Sequence, residues 1–263
     1  LGLTAYQLGA LRTIITAVFL LVAGYKSIKS ISKRQWKWVA LSGFLGSFFP
    51  AFLFAIAETE IDSSVTSILN SLVPLNTILL GFAVFKIAST KRQVLGVVIG
   101  FVGTAILIFK GAELNPNQNY LYAGFVVLST IMYALNVNII KNYLQSVKPL
   151  AIAAGNYVVI VIPAIIALLF SGFFNAETFA NSHFNMSLLY VVILSFFGTA
   201  LAKVLFNKLV QISTPVFASS VTYLMPIVAL IWGVLDGETF TAIQGFASVI
   251  ILLGVYLSHK RQR

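Results

Sequence analysis

Apolar segments long enough to cross a lipid bilayer follow one another along almost the whole chain. About 20 apolar residues wound as an α-helix span the hydrocarbon core, and the 263-residue sequence holds nine such segments separated by short polar connections. Because lipid offers the backbone no hydrogen-bond partners, these segments must form helices. The predicted spans are residues 3–24, 36–57, 63–85, 93–109, 120–140, 150–170, 187–209, 215–235 and 241–258. The predicted fold class is therefore an all-α, polytopic integral membrane bundle.

Charged residues are segregated between the two sides of this predicted bundle. Of the 17 Lys and Arg residues, 14 fall in one alternating set of loops and the C-terminal tail, whereas all seven Asp and Glu residues fall in the other set. Basic loops face the cytoplasm, so we expect a cytoplasmic C-terminus and a bacterial inner (plasma) membrane location. Since the basic residues follow loop sidedness and do not cluster on a soluble domain, nucleic-acid binding is not expected.

Several kinds of chemistry are excluded or disfavoured by what the sequence lacks. There is no Cys, and the two His residues, His183 and His259, lie too far apart in sequence for a metal motif. No predicted span contains Asp, Glu or His, and neither an HExxH nor a GxSxG motif is present. We therefore predict no metal site, no cofactor and no enzymatic activity. A carboxylate proton relay is unsupported as well, which favours a uniporter or an exchanger.

An internal repeat divides the chain into two related parts. A shift of 152 residues superposes residues 43–74 on residues 195–226, with identities that include Gly46/Gly198 and Pro74/Pro226. Corresponding loops carry opposite charge and therefore face opposite sides, which is typical of the inverted repeats of secondary transporters. The predicted domains are residues 1–110 and 119–259. Because the span 120–140 has no partner in the first copy, we expect a first helix to be missing and ten spans, five plus five, in the complete protein.

Segments in both copies of the repeat carry a resemblance to a known family. Residues 52–57, 64–75 (SVTSILNSLVPL) and 96–103 (GVVIGFVG), together with residues 217–226 (FASSVTYLMP) in the second copy, resemble the EamA-like branch of the drug/metabolite transporter superfamily. The resemblance implies export or exchange of small organic metabolites such as amino acids, by alternating access at a midplane cavity between the inverted repeats. A non-transporting receptor or scaffold is the alternative, and an intramembrane enzyme is a weaker one.

Two cations lie well inside predicted spans, away from the span ends. Arg12 falls near mid-depth, where insertion costs about 2.5–3.5 kcal/mol, so it should face a polar cavity or a partner. Binding a substrate carboxylate and bracing neighbouring helices are equally good explanations for Arg12. For Lys203 the sequence favours snorkelling to the cytoplasmic interface over ligand binding. Lys203 nevertheless shares a helical face with Thr199, Phe206 and Asn207, which would suit a cavity wall.

Further candidates are polar residues and prolines within the spans. Pro74 and Pro226 each remove a backbone donor near mid-membrane and are predicted to act as hinges or to line the cavity. Polar side chains near these prolines, on the unpaired span and at the position equivalent to Arg12 form the rest of the predicted substrate site. They are Asn70, Thr222, Tyr223, Tyr133, Asn136 and Tyr157, alongside Arg12, Lys203 and Asn207. Close helix packing, within one protomer or in a homodimer, is predicted at Gly96, Gly100 and Gly103.

Overall fold

A computed structural model describes most of the chain, and every element among the described residues is helical. The described residues are 2–61, 66, 69–112, 120–225, 227–228 and 242–259, with the backbone alone at 104, 107–112, 120, 177, 244 and 258–259. Asp62, Ser67 and Pro226 are among the residues that lie outside this description. The predicted all-α fold class is confirmed.

Ten helices follow one another along the described chain. The structure places α1 at Ala5–Ile28, α2 at Lys33–Ala57, α3 at Val73–Ala83, α4 at Lys91–Ala112, α5 at Ala123–Tyr143, α6 at Pro149–Phe170, α7 at Ala176–Ala180, α8 at Phe184–Ile212, α9 at Pro215–Ser220 and α10 at Ala242–His259. Five of them, α1, α2, α5, α6 and α8, are long and apolar enough to cross a membrane. The other four predicted spans coincide with the described helical residues of α3, α4, α9 and α10.

Short polar motifs decide where several helices begin. In α1 the Thr4 hydroxyl accepts a hydrogen bond from the Gln7 amide, and the Gln7 side chain accepts one from the Thr4 amide at 3.0 Å. The same reciprocal capping box joins Thr90 and Gln93 ahead of α4. These bonds satisfy amide groups that the first turn of a helix would otherwise leave unpaired. Proline at the first helical position begins α6 and α9.

The chain folds into two compact units, each built from both halves of the sequence. Unit 1 comprises Leu1–Thr59 and Ile139–Ile212, and unit 2 comprises Glu60–Asn138 and Ser213–Arg263. In unit 1, α1 packs along α6, and a Cβ on Gly24 would lie 2.7 Å from the Ala154 Cβ. This contact is close because glycine has no side chain, so the two helices can approach at that point.

In unit 2 the corresponding pair is α4 and α10. A Cβ on Gly254 would lie 2.7 Å from the Gly96 carbonyl oxygen. The side chains of Tyr223, Ala247 and Ile251 are fully buried beside this crossing. The predicted glycine packing at Gly96 and Gly100 is therefore found between two helices of one unit.

Four irregular segments interrupt the helices at positions that the 152-residue shift brings together. A π-helix occupies Phe44–Phe48 in α2 and another occupies Leu194–Leu201 in α8. The shift places the first π-helix on residues 196–200, inside the second. A turn at Ser71–Leu72 precedes α3, and a 3₁₀ segment, Val221–Leu224, follows α9 at the shifted position. Deviations of this kind are frequent at functional sites.

Pro74 lies at the start of a helix in the structure. It lies in the first turn of α3, directly after the Ser71–Leu72 turn, and does not kink a continuous helix. Since the first turn leaves its amides unpaired in any case, proline costs little there. The break in the helix therefore precedes Pro74. The predicted partner, Pro226, lies outside the described residues.

Candidate functional site

Arg12 is bonded to the second π-helix of unit 1. Its Nε donates a hydrogen bond to the Thr199 hydroxyl at 3.0 Å, and that hydroxyl donates to the Leu194 carbonyl at 3.2 Å. In return the Ser195 hydroxyl donates to the Arg12 carbonyl, and the Thr16 hydroxyl donates to the Ser195 carbonyl, both at 3.3 Å. Three of these four bonds join α1, from the first half of the sequence, to α8, from the second half; the bond from Thr199 to Leu194 lies within α8.

The outer nitrogens of the Arg12 guanidinium are not used in this network. Among the described residues, Nη1 and Nη2 make no hydrogen bond, and no carboxylate forms an ion pair with Arg12. The side chain is half-buried. A planar guanidinium that keeps two outer donors can bind a carboxylate through both of them.

Glu58, at the end of α2, acts on Arg12 through its charge. Burial raises the pKa of the Glu58 carboxyl above its ordinary value, and the Arg12 charge opposes this by lowering it. Part of the Glu58 side chain is exposed, so solvent screens the interaction. The acidic group therefore offsets the Arg12 charge only weakly.

Lys203 is bonded to the first π-helix of unit 1. Its Nζ donates to the Ser47 hydroxyl at 2.8 Å and to the Gly46 carbonyl at 3.1 Å. Both acceptors are neutral, and the side chain is only partly exposed. The sequence favours snorkelling for this lysine, whereas the structure directs its ammonium group onto α2. Each π-helix is thus contacted by one cation from another helix.

Phenylalanine rings cluster beside the Lys203 acceptors. The rings of Phe44 and Phe48 lie 5.7 Å apart, and those of Phe48 and Phe52 lie 5.0 Å apart. Phe52 packs on Gly9 of α1, where a Cβ would lie 3.1 Å from the ring. Hydroxyls, cations and aromatic rings are the groups that orient and enclose small organic ligands in proteins.

Buried asparagines extend the polar groups of unit 1. Asn207, one turn beyond Lys203, is fully buried; its Nδ2 donates to the Pro149 carbonyl at 3.4 Å, and its Oδ1 accepts no bond from a described residue. Asn156 is also fully buried and donates to the Val39 carbonyl at 2.6 Å. In low dielectric, amide groups that bond across helices fix their packing. Among the predicted candidates, Asn207 follows Thr199 and Lys203 on α8 at the same interval of four residues.

The predicted candidates in unit 2 lie among neutral groups. Asn70 is buried and donates to the Met225 sulfur at 3.2 Å. The Thr222 hydroxyl donates to the Ser219 carbonyl of its own helix at 2.9 Å. The Tyr223 side chain is fully buried, and its hydroxyl donates to the Val97 carbonyl at 2.9 Å. These bonds connect Asn70, beside the Ser71–Leu72 turn, and the residues of the 3₁₀ segment to neighbouring parts of unit 2.

The remaining candidates are held in packed surroundings. On α5, Asn136 is buried and Tyr133 is partly buried, and both take part in interactions. Tyr157, on α6, is buried in an apolar cluster of unit 1 with Ala17 and Leu20. Arg12 and Tyr157 occupy equivalent positions in the two repeats, yet the arginine on α1 is partly exposed and hydrogen-bonded, whereas the tyrosine on α6 is packed in an apolar cluster.

Some polar residues of the site are missing from the sequence prediction. Ser47, Thr16 and Ser195 take part in the bonds of Arg12 and Lys203, yet a single hydroxyl in an apolar span carries no distinctive pattern. In unit 2, Asn138 donates to the Thr77 carbonyl, and Asn76 donates to the Thr130 hydroxyl. An asparagine in a span is the signal that could have singled out the unit 2 pair.

Comparison with known proteins identifies the family. The sequence model of the EamA-like transporter family matches residues 2–109 and 121–259. The chain belongs to the EamA-like transporter family. It is 26% identical to the uncharacterized inner membrane transporter YedA of Escherichia coli (strain K12), over 93% of this chain and 79% of that protein. The uncharacterized transporter YyaM of Bacillus subtilis (strain 168) is 21% identical over 95% of this chain and 81% of that protein.

A solved structure has the same fold. This crystal structure, described only as that of a protein, superposes with a TM-score of 0.75, covers 97% of this chain and 87% of its own, and shares 16% sequence identity. At that identity the likeness concerns the fold alone. The family match, the relatives named as transporters and the apolar helices make this EamA-like protein an integral membrane transporter. Among the described residues no group of His, Asp or Glu could hold a metal ion.

Proposed function

We propose that this EamA-like protein is a secondary transporter of small organic metabolites that carry a carboxylate, amino acids among them, and that it works as an exporter or exchanger. The observation that carries the proposal is the bonding of Arg12 on α1 to Thr199 on α8, which leaves the outer guanidinium nitrogens without a protein partner among the described residues. A cation kept inside a membrane at an insertion cost of about 2.5–3.5 kcal/mol is a functional candidate by default.

The site would lie in a midplane cavity lined by both inverted repeats, residues 1–110 and 119–259. Unit 1 supports this arrangement because α1 and α2 come from the first repeat, while α6 and α8 come from the second. Polar groups of both repeats meet there at Arg12, Ser47, Thr199 and Lys203. In alternating access, one repeat moves against the other around such a fixed site.

The helix breaks are the proposed moving parts. The turn before Pro74 and the 3₁₀ segment Val221–Leu224 both interrupt helices of unit 2. A break between two helical pieces lets one piece tilt while the other stays packed, which is how hinges absorb a change of backbone angles. Asn70, Thr222 and Tyr223 would hold these breaks in one of their arrangements.

The proposed location is a bacterial inner membrane, with the C-terminus in the cytoplasm. The segregation of 14 of 17 basic residues supports this orientation. The Escherichia coli relative is named as an inner membrane transporter. Since every Asp and Glu lies outside the predicted spans, exchange of one solute for another is the favoured driving mechanism over a proton relay.

Solute counterflow in liposomes tests the proposal. Purified protein reconstituted with one carboxylated solute inside should take up the same radiolabelled solute from outside, and protein-free liposomes should not. A thermal-shift panel of amino acids, organic acids, nucleosides and cationic drugs chooses the solute, because ligands that bind the native state stabilise it. Binding without counterflow would instead indicate a receptor or scaffold, and chemical conversion of the solute would indicate an enzyme.

A further inference from the structure

Two cations of unit 1 lie well inside the predicted spans, away from the span ends, and neither pairs with an acidic group among the described residues. Lys203 and Arg12 donate only to neutral oxygens, those of Ser47, Gly46 and Thr199. Among the described residues no carboxylate pairs with either cation, and Glu58 acts on Arg12 only from a distance. The remaining acidic residues lie outside the predicted spans. The membrane-embedded part of unit 1 therefore holds two basic side chains that no described acidic residue pairs with.

Both cations are linked to the same part of α8, Arg12 through its bond from α1 to Thr199 and Lys203 as a residue of α8 itself. Thr199, the partner of Arg12, and Lys203 are four residues apart on α8. The π-helix ends at Leu201, between these two residues, so α-helical spacing does not decide which face they share, but four helical residues rise at most about 6 Å along the axis. One small molecule can reach both.

A bound carboxylate can replace the neutral oxygens that accept hydrogen bonds from Arg12 and Lys203. A carboxylate forms charge-assisted hydrogen bonds that are about twice as strong as bonds to neutral groups. The lysine stem has rotatable bonds, so its ammonium can turn from the Ser47 hydroxyl toward an anion without a change in the backbone. Ser47 and Gly46 belong to the first π-helix, so this exchange would also release a contact between α8 and α2.

We infer that the site in unit 1 takes a solute with two acidic groups, the first bound by Arg12 and Thr199 and the second bound by Lys203. Dicarboxylates and acidic amino acids are the chemical class, and the inference rests on the proposed transport function. Lys203 is the specificity-determining residue: it distinguishes a second carboxylate from a neutral group at the same place. A solute with a positively charged group at that position is disfavoured by repulsion from the ammonium.

Pairs of ligands that differ by one charge test this assignment. Glutamate and glutamine have the same size and differ only in the second carboxylate, and so do succinate and succinamate. Binding to purified protein, measured by calorimetry, should favour the doubly acidic member of each pair by about tenfold or more. In Lys203→Gln the two members of each pair should bind with nearly equal affinity, and the singly acidic ligands should still bind. Arg12→Gln should weaken all four ligands.

A matched control comes from the same helix. Lys208 also lies on α8, but its side chain is exposed. Lys208→Gln should therefore leave both preferences unchanged, although it removes the same charge. If Lys203→Gln fails to fold, the preferences of the unmodified protein decide, and Lys203→Arg, which keeps the positive charge, should retain them.

Three outcomes would overturn the inference. Equal or tighter binding of glutamine and succinamate would reject the second acidic group while leaving carboxylate transport intact. Tighter binding of a phosphate monoester than of any dicarboxylate would reject the two-carboxylate class. A different result would reject the proposed function itself: no carboxylated solute, with one acidic group or two, would bind or show counterflow.

Discussion

Gly254 and Gly100 meet backbone to backbone: a Cβ on Gly254 would lie 2.5 Å from the Gly100 nitrogen and 2.6 Å from its Cα. The contact joins α10 to α4 in unit 2. A flexible side chain could turn away from an added methyl group, but a helix backbone cannot. The sequence already favours glycine packing on α4 at this position, and the structure identifies the opposing glycine.

Gly254→Ala should destabilise the protein by about 1–3 kcal/mol, because the methyl group forces two packed helices apart. Gly124→Ala provides the control, since a Cβ at Gly124 meets nothing within 4 Å. That variant should be neutral or slightly stabilising, as alanine favours helix over glycine. Thermal unfolding in one detergent compares the two. Equal melting temperatures would mean that the crossing of α4 and α10 is looser than the structure has it.

Arg12→Ala should reduce the affinity for a carboxylated solute by about 10–100-fold, the usual value of a charge-assisted bond. Expression and the melting temperature in the absence of solute should change little. Arg12→Lys keeps the charge but loses the planar pair of donors, so it should recover only part of the affinity. Aggregation of both variants in detergent would support a purely structural arginine that braces α1 against α8.

Cysteine labelling tests the proposed orientation, because the protein has no cysteine of its own. With Asn117→Cys, an impermeant maleimide added to intact cells should react. With Ser30→Cys it should react only after the membrane is permeabilised, since that residue lies in a basic loop. Ser30 is exposed in the structure, so lack of access to the side chain would not explain a negative result. The opposite pattern would reverse the topology.

Lower pH should strengthen carboxylate binding at Arg12 slightly, because Glu58 offsets the Arg12 charge only weakly. Burial holds the pKa of Glu58 above its ordinary value, so protonation begins at a higher pH than for a free glutamate. The neutral form no longer offsets the Arg12 charge, which leaves more of it for the solute. Folding follows the same sign: the raised pKa adds stability on the acid side, and this is lost as the pH rises through it.

Glu58→Gln should bind the solute at neutral pH about as the unmodified protein does at lower pH, and its affinity should vary less with pH. Measuring both proteins with the same solute at each pH cancels the titration of the solute itself. Parallel pH profiles for the two proteins would show that Glu58 has no influence on the site.

The helical fold could be predicted from the sequence because its main signal is long and repeated. An apolar segment of about 20 residues has few alternatives to a helix in lipid. Within the described residues, α1 and α6 lie over the predicted spans 3–24 and 150–170, extending at most a few residues beyond them. The helix starts also have a local code, as the capping box of Thr4 and Gln7 illustrates.

The irregular segments could not be predicted in the same way. The π-helices at Phe44–Phe48 and Leu194–Leu201 have no composition that distinguishes them from ordinary apolar helix. Their presence depends on packing and on bonds from other helices, such as the one from Lys203 to Gly46. A proline in the sequence indicates a helix break but does not tell whether the break lies before or after the proline. Here the turn at Ser71–Leu72 precedes Pro74.

The sequence identifies Arg12 and Lys203 by their charge within predicted spans, whereas their hydrogen-bond partners depend on tertiary structure. A buried cation in a span is rare enough to single out. The serine and threonine hydroxyls that receive its bonds are common in membrane helices, where most of them bond to their own backbone. Ser47 and Thr199 could therefore be assigned to the site only once α1, α2 and α8 were placed together.

The two π-helices also change how α2 and α8 should be drawn on paper. An α-helix turns by about 100° per residue, and each extra residue accommodated in a wider turn rotates everything after it by roughly that angle. A helical wheel of Lys33–Ala57 or Phe184–Ile212 is therefore in phase on only one side of the π-helix. For residues after Phe48 in α2 and after Leu201 in α8, a substitution planned for the lipid-facing side of such a wheel would instead lie in the protein interior.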